Sequence, residues 1–463
     1  MALWLSALKS KNVEARRKVI EQLCAKPNGR ALRTLRQALE DDDTQVRRLG
    51  ATALGKLEDL EDDHLELLLK ALKDPEPEVQ RAAIPGLKRF PMARTIDAIV
   101  PMLRSHDTGV RVAAAQSLEA LGWRPTKEDD EIWYWAAKGQ FNRLSAFGTM
   151  AIPILEVILD SGSYSQCVGA LQVLGQIDDP DVVRPLVRGL RVPDSAVVVA
   201  AVDALGKVGG PQAIQHLTGM LHHHTAQVRL AAIEALGSLR APGVGDLLKK
   251  LLSDEVWEVR KVAADTLGRL REVDSIEALS KTLSDKDADV REAAVGALAR
   301  LGVRKVIGPL VSALKDSNSG VRRVASVALT RVDENWNTSP EGRAALEALR
   351  PALQDKDSDV RHFVGHLLAS LGAAEPEPAA AEAEGPGLDM QDRRRKLAIA
   401  LFLAILCDPD RDLRQAAAEA LGQLGGSRAQ AGLLRAVADR DPGVRRAAEV
   451  ALRALHDKPG GRE

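Results

Sequence analysis

The sequence predicts an all-α, right-handed solenoid of about thirteen two-helix repeats. Three observations predict it. There is an internal period of 31 residues, each copy spaces its apolar residues as helices do, and aromatics make up only 3% of a chain that is 45% apolar. At roughly 150 residues per compact domain, 463 residues would suggest three globular domains. A fixed period of roughly 20–50 residues overrides that expectation.

Four segments establish the period. They are VRLAAIEALGSL from Val228, VRKVAADTLGRL from Val259, VREAAVGALARL from Val290 and VRRVASVALTRV from Val321, with starts 31 residues apart. The same register reaches Val46, Val79, Val110, Val360, Leu413 and Val444. Ala15 begins a degenerate first copy, and Gln166 and Val197 begin two copies that lack the Arg. Within a copy, apolar residues recur at spacings of 3, 4, 7 and 8, one face of an α-helix. A shorter amphipathic segment precedes it, as in Ile276–Leu283 or Ile307–Leu314, and a polar turn such as Ser284–Asp289 separates the two. Gly206, Gly237, Gly268, Gly302 and Gly422 fall near the end of the second helix, where a terminating glycine is expected. The Ala pairs let neighbouring backbones approach, so bulky filler is not needed. One helix pair cannot bury its apolar faces alone, whereas stacked pairs share a continuous core.

Two polar positions recur with the period. Asp stands five residues before the anchor Val in eight copies, from Asp41 to Asp439, and Arg follows the anchor in ten, from Arg16 to Arg445. A carboxylate can cap the turn or the second helix, and a planar guanidinium can bridge to the next unit. A row of Arg that binds phosphate or carboxylate is the functional alternative.

The period and the pattern D-x-D-x-x-V-R-x-A-A-x-x-A-L-G resemble HEAT repeats, over nearly the whole chain. They most resemble the bacterial type named after phycobilisome lyases. That resemblance implies a class containing bilin lyases, regulatory adaptors and assembly scaffolds.

Four departures interrupt the pattern. Gly122–Gly148 adds about 25 residues and holds Trp123, Trp133, Tyr134, Trp135, Phe141 and Phe147, six of the thirteen aromatics. It reads as an inserted helical hairpin that plugs a gap in the stack, or as an aromatic contact site. His222, His223 and His224 replace a polar turn; adjacent rings diverge, so a solvated turn is expected and no metal site. The Arg is lost at Cys167 and Val198, and the apolar run Ala196–Val202 is either covered by the insert or exposed to a partner. Ala373–Asp389 is acidic and rich in Ala, Pro and Gly, and reads as a flexible linker. A shorter interruption, Asp333–Gly342, reads as a loop with Trp336 at its tip. The expected organisation is therefore N-terminal repeats (1–121), aromatic insert (122–150), central repeats (151–372), linker (373–391), a C-terminal repeat pair (392–457) and a disordered tail (458–463).

No catalytic, cofactor or metal constellation stands out, and the expectation is a non-enzyme without a cofactor. HEAT-type enzymes of the deoxyhypusine hydroxylase kind hold a metal pair with His-Glu dipeptides, and this chain has none. His362 and His366 are spaced i,i+4 without an obvious carboxylate ligand. No phosphate-binding glycine loop, nucleophile elbow or CxxC is present. Cys24, Cys167 and Cys407 are odd in number and widely spaced, and the N-terminus lacks a basic signal region. The longest apolar run, Leu397–Cys407, is too short to span a bilayer. These features predict a cytoplasmic protein with no membrane partner. A net charge of −1 disfavours nucleic acid as partner.

Variable charges on the second helices are the candidate partner-binding residues. Two past the anchor stand Lys261, Glu292 and Arg323; six past it Asp203, Glu234 and Asp265; ten past it Arg269, Arg300 and Arg331. A groove of mixed sign suits selective docking of a protein better than tracking a phosphate backbone. With Trp123, Trp133, Tyr134, Trp135 and Phe141 of the insert, they predict a protein-interaction scaffold or adaptor. A HEAT-type enzyme or chaperone of the bilin-lyase class, or a nucleic-acid-binding solenoid, are the alternatives.

Overall fold

The computed structural model describes residues 7–25, 31–57, 62–333, 335–370, 390–407 and 411–456. The described residues are helical and contain no strand, and the helices pair into an all-α solenoid. The chain divides into two compact units, Met1–Met220 and Leu221–Glu463. The expected linker lies outside the described residues up to residue 389, as does the tail from 458.

In the first unit, the second helices α1 (Thr44–Lys56), α2 (Pro77–Leu87) and α3 (Thr108–Ala120) pack each on the last. After the insert come α5 (Ile152–Ser161) and α6 (Tyr164–Leu174), then α7 (Val183–Gly189), α8 (Ser195–Val208) and α9 (Gly210–Met220). Most of the second helices start where the sequence supplies an acceptor, and α2 starts instead on Pro77. Asp43, Asp107 and Asp194 accept from the amides of Val46, Val110 and Val197, and Ser163 with Gln166 forms a capping box.

The insert consists of α4 (Glu128–Ala137) and a 3-10 segment, Phe141–Ala151, broken at Gly148 (φ 53°). Its aromatics mostly face inward. Trp133 is 8% exposed and Tyr134 5%. Tyr134 sits edge-on to Trp123 at 5.6 Å and to Trp135 at 4.9 Å. Phe141 occupies the space that a side chain at Gly169 of α6 would need. The insert thus fills the gap between α3 and α6. Residues 141–161 are the one helical stretch among the described residues long and apolar enough to cross a bilayer. It is interrupted at Gly148, and its 3-10 part packs on α4, α5 and α6.

Two expectations are corrected in these regions. The run Ala196–Val202 is neither an exposed patch nor a face covered by the insert. Val197, Val198, Ala201 and Val202 are buried, and α8 packs against α6, α7 and α9. Trp336 is no loop tip. It is fully buried in a 3-10 turn against Pro340–Leu349, because a large apolar ring gains more from the core than from solvent.

The second unit stacks α10 (Ala226–Ser238), α11 (Trp257–Leu270), α12 (Ala288–Leu301) and α13 (Ser319–Val332). Its last pair of second helices, α14 (Arg411–Leu424) and α15 (Pro442–His456), shares a core of Leu421, Leu433, Val444 and Ala448.

The terminating-glycine expectation also needs correction. Gly206, Gly237, Gly268 and Gly422 lie inside their helices. A Cβ on Gly268 would stand 2.6 Å from Ala297 Cα, and one on Gly422 would stand 2.6 Å from Ala451 Cβ. Gly268 and Gly422 let consecutive second helices approach backbone to backbone. Of these five glycines, Gly302 (φ 67°) alone ends its helix in the left-handed conformation.

The Arg–Asp pattern is a ladder between units. Arg260 donates from Nε and Nη2 to the two carboxylate oxygens of Asp285 at 2.7 and 2.8 Å. Its Nη1 donates to the carbonyls of Asp254 and Glu255 in its own turn, at 2.9 and 3.2 Å. Arg16–Asp41, Arg47–Asp74, Arg229–Asp254, Arg291–Asp316 and Arg414–Asp439 repeat the link at 2.7–2.8 Å. Each Asp also accepts an amide of its own turn, as Asp285 does from Asp287 at 2.9 Å. The Arg260 guanidinium is held side-on and satisfied on both edges, the strongest arrangement for such a pair, whereas Arg229 reaches Asp254 through Nη2 alone.

At three places the two charges depart together. Where Gln80, Cys167 and Val198 replace Arg, Ser105, Val192 and His223 replace the partner Asp. His223 keeps part of the Asp role, since its Nδ1 accepts the Thr225 amide at 3.1 Å. Burial, His224 and Arg229 together push its imidazole pKa below the usual value.

Candidate interaction surface

The ladder pairs the recurring Arg and Asp, so among the described residues it presents no free anion-binding row: Arg229 and Arg260 are 6% and 4% exposed. What reaches solvent on the second helices is the variable set. Asp203, Glu234, Arg269, Arg300, Arg323 and Arg331 are exposed, and Lys261, Asp265 and Glu292 are half-buried. Asp203 belongs to the first unit and the others to the second. Desolvation raises the Asp203 carboxyl pKa, with Lys207 opposing it.

Neighbouring helices pair some of these charges. Arg300 of α12 donates to Asp265 of α11 at 3.1 Å, so the tenth position of one unit meets the sixth of the unit before. Lys261 lies 3.8 Å from Asp289 and sits over the Trp257 ring at 5.8 Å. Arg269 donates to Thr266 at 2.8 Å. Arg323 and Arg331 have no ion pair among the described residues. Such exposed pairs contribute little to stability, about 0–1 kcal/mol, which leaves these positions free to serve recognition.

The insert is a poorer surface. Trp133 and Tyr134 are in the core, and Trp123, Trp135 and Phe141 are half-buried. The protein's own cations already cover the exposed parts. Arg143 stacks over the Trp135 ring at 4.0 Å, and Lys138 lies 5.5 Å from the Tyr134 centroid. Trp135 Nε1 donates to Glu131 at 3.1 Å.

No group of three or more His, Cys, Asp or Glu that could hold a metal ion is found among the described residues. His222 and His224 are exposed on the turn, and His362 is exposed with Nδ1 3.3 Å from the Ser358 carbonyl. The His366 side chain lies outside the described residues. The three cysteines are free, and burial pushes each thiol above its ordinary pKa, which makes them poor nucleophiles. A groove of about 660 Å³ crosses α5, α7 and α9, lined by Glu156, Arg184, Arg188 and His216. Its Arg184 and Arg188 are bound to Glu156 and Asp160.

Two residues of this surface escaped the sequence reading. Val327 is 55% exposed at the sixth position of α13, and Gly296 holds the same position of α12. The register alone could have flagged both, as the places where the acidic sixth position gives way to an apolar residue and to none.

The sequence model of HEAT repeats matches residues 1–69, 65–131, 152–237, 221–296, 276–341 and 379–453. No curated protein matches. Among solved structures, one described as an engineered protein is 18% identical over 98% of each chain. Its TM-score is 0.34. The family match spans most of the sequence and agrees with the stacked helix pairs: the chain belongs to the HEAT-repeat family.

Proposed function

We propose that this protein is a non-catalytic scaffold or regulatory adaptor that binds a protein partner on the exposed faces of its second helices. HEAT repeats are commonly protein-interaction scaffolds. One observation carries the reading for this chain: the ladder side chains are paired and nearly buried, while the variable positions around them are exposed or half-buried and differ in sign from repeat to repeat. A surface of patterned sign confers partner selectivity. A cytoplasmic location belongs to the same proposal, on the three free cysteines.

The test is affinity capture from the native host with the full chain and with a version lacking Trp123–Phe147. A partner retained by both, and lost when Arg300, Arg323 and Arg331 are reversed to Glu, supports the reading. Absence of any protein partner together with turnover of a small molecule overturns it. The finer kinship with phycobilisome-lyase-type repeats, proposed on the D-x-D-x-x-V-R pattern, has its own assay: a coloured adduct on co-expression with a tetrapyrrole and an acceptor protein. Nucleic-acid binding would instead give an affinity that falls steeply with salt.

A further inference from the structure

The inference concerns one patch of the second unit, and it rests on the adaptor reading. The Arg300–Asp265 pair defines a rule of the stack: the tenth residue of one second helix reaches the sixth of the helix before, at 3.1 Å. One unit on, the tenth residue is Arg331 and the sixth of the preceding helix is Gly296. The carboxylate is missing. A Cβ built on Gly296 meets only Arg300 Nη1, at 4.0 Å, so the position is a solvent-open notch with one guanidinium at its edge. Arg331 is exposed and has no ion pair among the described residues. Along α13, Arg323, Val327 and Arg331 are four residues apart and all exposed, so they form one stripe with an apolar centre.

We infer that this patch docks an acidic, extended segment of a partner protein that carries one apolar side chain between its carboxylates. A partner carboxylate enters the Gly296 notch, between Arg300 and Arg331, and stands beside Arg331 as Asp265 stands beside Arg300. The apolar side chain covers Val327, and a further carboxylate reaches Arg323. Two features select this occupant. Three exposed Arg surround the notch and the stripe, which fits an anionic partner. Val327, exposed between two of them, has no use to a phosphate chain and suits a peptide side chain. Guanidinium and carboxylate also form the planar two-bond match that Arg260 and Arg291 make with Asp285 and Asp316.

The probe is a fluorescein-labelled peptide, Glu-Asp-Glu-Leu-Asp-Glu-Glu, titrated into the full-length protein and read by anisotropy. A second peptide replaces Leu by Ser, and a single-stranded DNA oligonucleotide supplies a phosphate chain. Gly296→Asp is the decisive variant. It provides the missing carboxylate from within, into open space, so the helix has no steric reason to unfold; circular dichroism checks that. The Leu peptide is expected to bind, and Gly296→Asp and Arg331→Glu should each weaken it by about tenfold. Val327→Ser should remove the preference for Leu over Ser, while Arg428→Glu, far along the chain, should change nothing. Equal binding by folded Gly296→Asp, equal binding of the two peptides, no binding, or tighter binding of the DNA each overturns the inference. A captured partner that is indifferent to Gly296→Asp and Arg331→Glu refutes this patch and leaves the adaptor reading standing. Failure to capture any partner counts against the adaptor reading itself.

Discussion

Arg111 meets Ser161 where its counterparts meet an aspartate. Its Nη1 lies 3.1 Å from Ser161 Oγ, and Arg111 is 1% exposed with no ion pair among the described residues. Burial lowers its pKa and Asp107 only partly opposes that. It bonds the carbonyls of Ser105 and His106 at 2.7 and 2.9 Å and Thr108 Oγ1 at 2.9 Å, so its donors are served but its charge is not. The insert explains the anomaly: residue 161 is the first turn after it, 50 residues from Arg111 instead of the usual 25.

Restoring the carboxylate should therefore stabilise the join. Ser161→Asp is expected to add about 1–2 kcal/mol, the scale of a charge-assisted hydrogen bond. Ser161→Asn, which keeps the shape without the charge, should add less. Hydrogen exchange of α3 and α6 is the measure, because a repeat stack opens locally rather than all at once. Slower exchange in Ser161→Asn than in Ser161→Asp would refute the charge argument.

Removing half of an intact rung should do the reverse. Arg260 and Asp285 side chains are 5% and 10% exposed. Asp285→Asn leaves a buried guanidinium short of its counter-charge, at a cost of about 3–5 kcal/mol. The double change Arg260→Met with Asp285→Leu should recover much of that loss, since neither charge is then stranded. If denaturant melts place the double variant below the single one, the stranded charge is not the cause.

Acid should loosen the chain unevenly. Burial pushes the Asp285 and Asp439 carboxyls up, but Arg260 and Arg414 with local amides outweigh it and hold both below the usual carboxylate range. Asp43 is lowered chiefly by its hydrogen bond from Arg17. A carboxyl whose folded pKa is depressed contributes stability that is complete above its unfolded value, about 4, and is lost as pH falls through the folded value. Protection from exchange in α11–α12 and α14–α15, relative to the intrinsic rate at each pH, should thus hold from neutral pH down to about 5 and fall below about 4. The stretch between Gln80 and His223, which has no Arg–Asp rung, should show a smaller response. A uniform response along the chain would remove the ladder as its cause.

The fold was legible because the ladder and the helical spacing recur at a fixed interval, so each copy confirms the next. Arg260 and Asp285 could be paired on paper for that reason. The misreadings fall where a residue serves a contact outside its own unit. Gly268 sits near a helix end in the sequence, and only the approach of Ala297 shows why it must be glycine. Trp336 lies in a polar interruption, and its burial depends on the helix that follows. Gly296 and Gly268 are both glycines in second helices, yet one faces backbone and the other faces water; the register distinguishes them, composition does not.

That contrast gives the last prediction. Gly268→Ala places a methyl 2.6 Å from Ala297 Cα, a backbone atom that cannot rotate away. The two helices must separate, and overpacking of this kind costs about 1–3 kcal/mol. Gly296→Ala meets only the Arg300 guanidinium tip at 4.0 Å, in a helix of ordinary dihedrals. It should be neutral or stabilise by about 0.5–1 kcal/mol, the difference in helix propensity. Opposite shifts in melting temperature for the two variants are the expected result. A comparable loss in both would mean that α12 carries close contacts on its sixth position, and the notch beside Arg331 would not exist.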